Sequence, residues 1–181
     1  MTHHILTEYS TPKGEPLCLH QNRFFKMMFN GYFHYLEPVR YARAVATVPR
    51  FPNGDLLLVR LRRAPAVGSS IEFPRGGVEP CEDLDVAVTR ELSEETGYTL
   101  SREAARHIGR VVPDSATING LMDVFEVEIP QDAVQGAFDE QEIELPMRVS
   151  EAQFLDMVKR GDIVDGITLS SWALAQVVRQ G

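Results

Sequence analysis

The chain has 181 residues, 44% of them hydrophobic and 24% charged, an ordinary globular composition for one domain with room for a small appendage. Its formal net charge of -8 argues against a general nucleic-acid binder, whose affinity rests on a basic surface. No apolar run reaches membrane-spanning length and His3 and His4 replace a basic leader start, so the expectation is a cytoplasmic protein with no membrane partner.

In chain order, Pro12, Gly14 and Pro16 interrupt the first segment, and an aromatic cluster runs from Phe24 to Tyr35. Phe29, Tyr32, Phe33 and Tyr35 could stack a base, but ordinary packing onto the sheet is the stronger expectation. Residues 1–39 therefore read as an amino-terminal extension to a domain spanning 40–181. Tyr41 to Val48 and Asp55 to Arg60 flank a Pro/Asn/Gly turn and read as a hairpin. Ile71-Glu72-Phe73-Pro74 reads as a short strand, and Gly76-Gly77 as a tight turn before a helix. Further strands are expected at Val111-Val112, Leu121 to Ile129 and Ile143 to Val149, and helices at Ser150 to Arg160 and Thr168 to Arg179. Cys18 and Cys81 lie outside any metal-ligand spacing and read as two thiols.

The helix after the glycine pair is the informative one. Leu84, Ala87, Val88 and Leu92 recur at helical spacing, with Glu82 or Asp83 placed to cap the start and Gly97 the end. At about 100° per residue, Glu91 and Glu95 fall on the same side as Leu84 and Val88, and Glu94 only slightly further round. Three carboxylates directed inward repel and lose hydration unless something positive joins them, either Arg90 or a metal ion. Oxygen-only donors suit Mg2+ or Mn2+. Periodicity alone leaves a metal site and a salt-bridge cluster equally open.

Gly76, Glu82, Arg90, Glu91, Leu92, Glu94, Glu95, Gly97 and Tyr98 make nine specified positions over 23 residues. This pattern resembles the Nudix box, with an aromatic residue at Tyr98 where the family usually has an aliphatic one. The resemblance implies an α/β fold, an α/β/α sandwich with a central mixed β-sheet, and a metal-dependent pyrophosphohydrolase. It implies Glu91 and Glu95 as main metal ligands, Glu94 as ligand or support, the Arg75 carbonyl as a further ligand, Arg90 as the partner of a carboxylate, and Glu82 as support for the loop.

Three further features resemble the ADP-ribose pyrophosphatase subgroup. Pro113 lies fifteen residues after Tyr98. Arg63, before Ile71-Glu72-Phe73-Pro74-Arg75-Gly76-Gly77, matches an arginine used near the substrate, although Arg75 replaces the usual small residue and Leu61-Arg62 replaces Gln-Tyr. The acidic stretch Asp139-Glu140-Gln141-Glu142 matches a loop that supplies a catalytic glutamate, with Glu142 the first choice and Glu140 the second. The resemblance implies a nucleoside diphosphate-linked substrate such as ADP-ribose, phosphate contacts from Arg63 and Arg75, and a homodimer built with residues 1–39. GDP-sugars or nucleoside triphosphates are the alternative substrates. A nucleotide-sensing module without activity is the alternative from another class.

Overall fold

In the computed structural model, residues 15–41, 43–62, 68–138 and 143–180 are described. The amino-terminal part forms a three-stranded antiparallel sheet in the order β1 (Leu17–Gln21), β2 (Phe25–Phe29) and β3 (His34–Pro38). Each of its turns starts with an asparagine. The Asn22 side chain accepts from the amides of Phe24 and Phe25 at 2.8 and 3.0 Å, and Asn30 accepts from Tyr32 and Phe33 at 3.1 and 2.8 Å. Tyr32 and Phe33 are 81% and 55% exposed, so these two rings depart from the packing expected of the aromatic cluster. The sheet joins the body through Leu36, whose amide donates to Thr117 O at 2.7 Å and whose carbonyl accepts from Asn119 N at 2.8 Å.

The second sheet has seven strands. β4 (Ala44–Arg50) and β5 (Leu56–Arg62) form the expected hairpin, closed where Phe51 N meets Asp55 O at 2.9 Å. The pair then opens: beyond Arg50 and Leu56, β5 pairs with β6 (Ser69–Glu72) and β4 with β7 (Arg75–Gly77). The glycine pair expected as a turn therefore lies in a strand, with Gly76 opposite Val45 and Gly77 opposite Ala44. Thr47 fixes the opening, since its amide and its hydroxyl both donate to Pro74 O at 2.9 Å. After α1 (Leu84–Thr96), a single 3-10 turn leads into β8 (Ala105–Val111), β9 (Met122–Glu128) and β10 (Ile143–Val149). α2 (Glu151–Arg160) and α3 (Gly166–Gln180) close the chain. The backbone order is β10-β5-β4-β9-β8, antiparallel except between β4 and β9.

Strand alternation divides the apolar residues between two faces. Leu57, Phe125 and Val127 pack with Ala87, Val88 and Leu92 of α1. Leu56, Leu58 and Val124 pack with Phe154, Met157 and Ala175 of α2 and α3. Helices on both faces of a mixed sheet make the α/β/α sandwich expected from sequence. Ser150 caps α2 as expected, in a reciprocal box: its hydroxyl accepts from Gln153 N at 3.2 Å and its amide donates to the Gln153 side chain at 2.8 Å. Asp83 stands at the start of α1 but makes no capping bond there; its carboxylate pairs with Arg102 at 3.4 Å. Among the described residues no helix is long and apolar enough to cross a membrane.

Candidate active site

α1 sets its apolar residues on the sheet, and the same side carries Glu91 and Glu95, buried at 8% and 6% exposure. Both meet the backbone of β7. A Cβ built on Gly76 would lie 2.1 Å from the Glu91 carboxyl carbon, so only a bare α-carbon leaves room for that group. Glu95 accepts from the Arg75 amide at 3.2 Å. A Cβ on Gly77 would likewise collide with the Tyr41 ring at 2.1 Å. Burial, assisted by Glu79 and Glu91, pushes the Tyr41 hydroxyl up from its ordinary range against the opposing pull of Arg40.

Arg90 stands at the centre of the acids. Its guanidinium donates to Glu82 at 2.8 and 3.0 Å, to Glu91 at 2.8 Å, to Glu94 at 3.0 Å and to the Gly77 carbonyl at 2.9 Å. The Glu82 carboxylate, ahead of Glu91, holds Arg90 above its ordinary value against the effect of burial. In return, the Arg90 bonds hold Glu82 below the usual carboxylate range, helped by the Glu79 amide at 2.9 Å. The end of β7, the loop after it and the helix are thus joined through one side chain.

Among the described residues no three acidic or metal-ligating side chains already converge on one point: Glu91 and Glu94 both accept from Arg90, and Glu95 accepts from the Arg75 amide. The donor set nonetheless fits a hard divalent cation. Glu82, Glu91 and Glu94 set three carboxylates around one guanidinium and Glu95 a fourth on the Arg75 amide, all donors to a cation are oxygens, and the Glu91 carboxylate occupies a cradle that a Cβ on Gly76 would fill.

The Arg75 side chain points elsewhere. It pairs with Glu72 at 2.5 Å and with Asp165 at 2.9 Å, and Asp165 also accepts from Thr168 N at 2.8 Å in the first turn of α3. β7 is therefore tied through its backbone to α1 and through this guanidinium to α3. Arg62 is 81% exposed at its side chain and meets Glu144 at 2.9 Å.

Arg63, Glu140 and Glu142 lie outside the described residues. The chain flanking the acidic stretch is anchored on one side at the end of α1, where the Gln135 side chain donates to Thr96 O at 2.9 Å and Gly136 N to Gly97 O at 2.8 Å. On the other side Ile143 pairs with Leu61. Pro113 is half-buried in the loop between β8 and β9.

Residues of that loop, with Arg43, Arg110 and Asp123, line a cavity of about 740 Å3. Asp123 accepts from Arg43 at 3.2 Å, from His107 at 2.9 Å and from Arg110 at 2.9 Å. Burial pushes the Asp123 carboxyl up, but the bonds from Arg110, His107 and Arg43 outweigh it and hold it below the usual range. Nothing in the local sequence signals this group, whose members come together only through strand register.

Comparison with known proteins agrees with this geometry. The family model described as NUDIX domain matches residues 40–162. An ADP-ribose pyrophosphatase of Saccharomyces cerevisiae is 34% identical over 77 residues, 41% of this chain and 29% of that one. An ADP-ribose pyrophosphatase of Bacillus subtilis is 34% identical over 73 residues, 40% of each. An RNA pyrophosphohydrolase of Caulobacter vibrioides is 41% identical over 70 residues, 39% of this chain and 40% of that one. The matched stretch thus spans well under half of each relative. A crystal structure of an ADP compounds hydrolase shares the fold, with a TM-score of 0.68 at 20% identity over 92% of this chain and 95% of that one. With the Nudix domain model matched over residues 40–162, most of this chain, and Glu82, Glu91 and Glu94 of the box gathered around Arg90, the chain belongs to the Nudix hydrolase family, among relatives that include ADP-ribose pyrophosphatases.

Proposed function

We propose that this chain is a pyrophosphohydrolase that uses Mg2+ or Mn2+ to cleave the diphosphate of ADP-ribose or a related nucleoside diphosphate sugar, giving a nucleoside monophosphate and a sugar phosphate. The observation that carries the reading is the seating of Glu91 on the bare α-carbon of Gly76, beside Glu95 on the Arg75 amide. Helix acids and strand backbone thereby share one small volume in a chain that is already acidic.

Glu91, Glu94, Glu95 and the Arg75 carbonyl would hold the cation, which when bound neutralises the diphosphate and lowers the pKa of water. Arg90 holds Glu82, Glu91 and Glu94 in fixed orientation. Glu142, with Glu140 as second choice, accepts the proton of the attacking water. Arg63 meets the phosphate oxygens, and Pro113 shapes the loop beside the substrate. The Arg75 guanidinium, engaged by Glu72 and Asp165, supports the strand in this scheme. A homodimer through the amino-terminal sheet completes the reading, supported by the exposure of Leu17, Phe24, Met27, Tyr32 and Phe33 there.

The test is a panel of ADP-ribose, GDP-mannose, nucleoside triphosphates and a 5′-triphosphorylated RNA, scored by phosphate released after phosphatase coupling. The RNA arm answers the 41% identity to an RNA pyrophosphohydrolase. ADP-ribose is expected to be cleaved fastest, EDTA to stop the reaction, and Glu95→Gln to abolish turnover in a folded protein. Activity of Glu95→Gln at saturating Mg2+ overturns the ligand assignment. Tight binding of ADP-ribose without product points instead to a sensing module.

A further inference from the structure

Asp123 is 3% exposed, yet it binds two guanidiniums and an imidazole. One guanidinium would balance a single carboxylate, so the group carries surplus positive charge in a chain of net charge -8. The side chains of Arg43 and Arg110 keep 52% and 56% of their surface exposed and line the cavity of about 740 Å3. Glu37 at the rim pairs with Lys26 at 3.7 Å, a neutral pair that leaves the guanidinium charge standing.

Strand register fixes where this charge lies. Gly76, Val45, Asp123 and Arg110 form one row across β7, β4, β9 and β8. Val45 and Phe125 pack with α1, so the alternating positions Arg43, Asp123 and Arg110 face the same side of the sheet as Glu91. Asp123 is two strand spacings, about 10 Å, from Gly76. Acids stand at one end of the row and surplus guanidinium at the other.

We propose that the cavity lined by Arg43 and Arg110 binds a second oxyanion of the substrate, a phosphate or carboxylate beyond the diphosphate that is cleaved. The inference rests on the hydrolase reading for which diphosphate is cut, and adds a charge class for what is attached to it. Asp123 is the positioning residue: it aligns both guanidiniums with their outer faces in the cavity, where each offers charge-assisted hydrogen bonds. The oxyanion can reside on the nucleoside ribose or on the attached sugar, and two matched pairs of ligands separate these sources.

Binding is measured by calorimetry in EDTA, without turnover, for NADP+ against NAD+ and for UDP-glucuronate against UDP-glucose. In one pair the charged member is expected to bind on the order of tenfold more tightly, the value of one added charge-assisted contact. Arg110→Gln and, independently, Arg43→Gln should reduce that ratio towards one. Preference within the first pair assigns the oxyanion to the ribose, and within the second to the sugar. Equal binding within both pairs overturns the inference, as does a preference that both variants retain. Hydrolysis is scored separately in Mg2+. A protein that prefers the charged member but cleaves nothing keeps this inference and loses the hydrolase reading, whereas one that cleaves ADP-ribose and binds each pair equally does the reverse.

Discussion

Arg90 holds both carboxylate oxygens of Glu82, through Nε at 2.8 Å and Nη2 at 3.0 Å, and so fastens the loop after β7 to the second turn of α1. Only a planar, forked donor makes this pair of bonds while also reaching Glu91, Glu94 and the Gly77 carbonyl. Arg90→Lys keeps the charge and loses the fork. It should cost about 1–3 kcal/mol, which lowers the melting temperature by about 2–4 °C for each kcal/mol. Calorimetric melting checks this; an unchanged transition would mean that charge alone holds the loop.

The same pair predicts a pH dependence. Glu82 is held below its ordinary value in the folded protein, chiefly by Arg90. Its contribution is therefore complete above the unfolded value of about 4.3 and disappears as the pH falls through the lower folded value. Melting curves of the parent and Glu82→Gln should differ at pH 7 and converge below about pH 4. A gap that widened on acidification would reverse the sign of the linkage.

Gly76→Ala tests the seat of Glu91. The added methyl meets a carboxylate that is 8% exposed, at 2.1 Å, so the carboxylate must leave its position. Hydrolysis of ADP-ribose should fall by about a hundredfold or more, as displacement of a reacting group by about 1 Å does, while circular dichroism is retained. Undiminished turnover would remove Glu91 from the reaction.

Gly97→Ala probes the far end of α1. Gly97 has φ +78°, and a Cβ there would lie 2.3 Å from the Gly136 carbonyl oxygen. The left-handed backbone alone costs about 1–2 kcal/mol for alanine, and the contact with Gly136 adds to it. Hydrogen exchange should quicken in residues 130–138 as well as at the helix end. An effect confined to α1 would show that the two segments open independently.

Local features were the legible ones. The spacing of Leu84, Ala87, Val88, Leu92 and the glutamates fixes which way α1 faces, because the helical period needs only neighbours within the same segment. Gly76-Gly77 reads as a turn in isolation, and its place in β7 comes from Ala44 and Val45, some thirty residues away. Arg43 and Asp123 are separated by 80 positions and Arg75 and Asp165 by 90. No periodicity links such pairs; they meet because β9 runs parallel to β4 and because α3 starts beside β7. The aromatic cluster before residue 39 shows the same limit, since its sheet closes on its own turns and leaves Tyr32 and Phe33 outside the core.

Leu36 joins the two sheets through its backbone, between Thr117 and Asn119, in the loop that also walls the cavity beside Asp123. A junction made of two main-chain hydrogen bonds can be formed by any residue at position 36 except proline, which lacks the amide donor. The small sheet is therefore coupled to that wall through main-chain bonds, and the exchange rate of the Leu36 amide becomes a built-in gauge of whether the wall is held or loose.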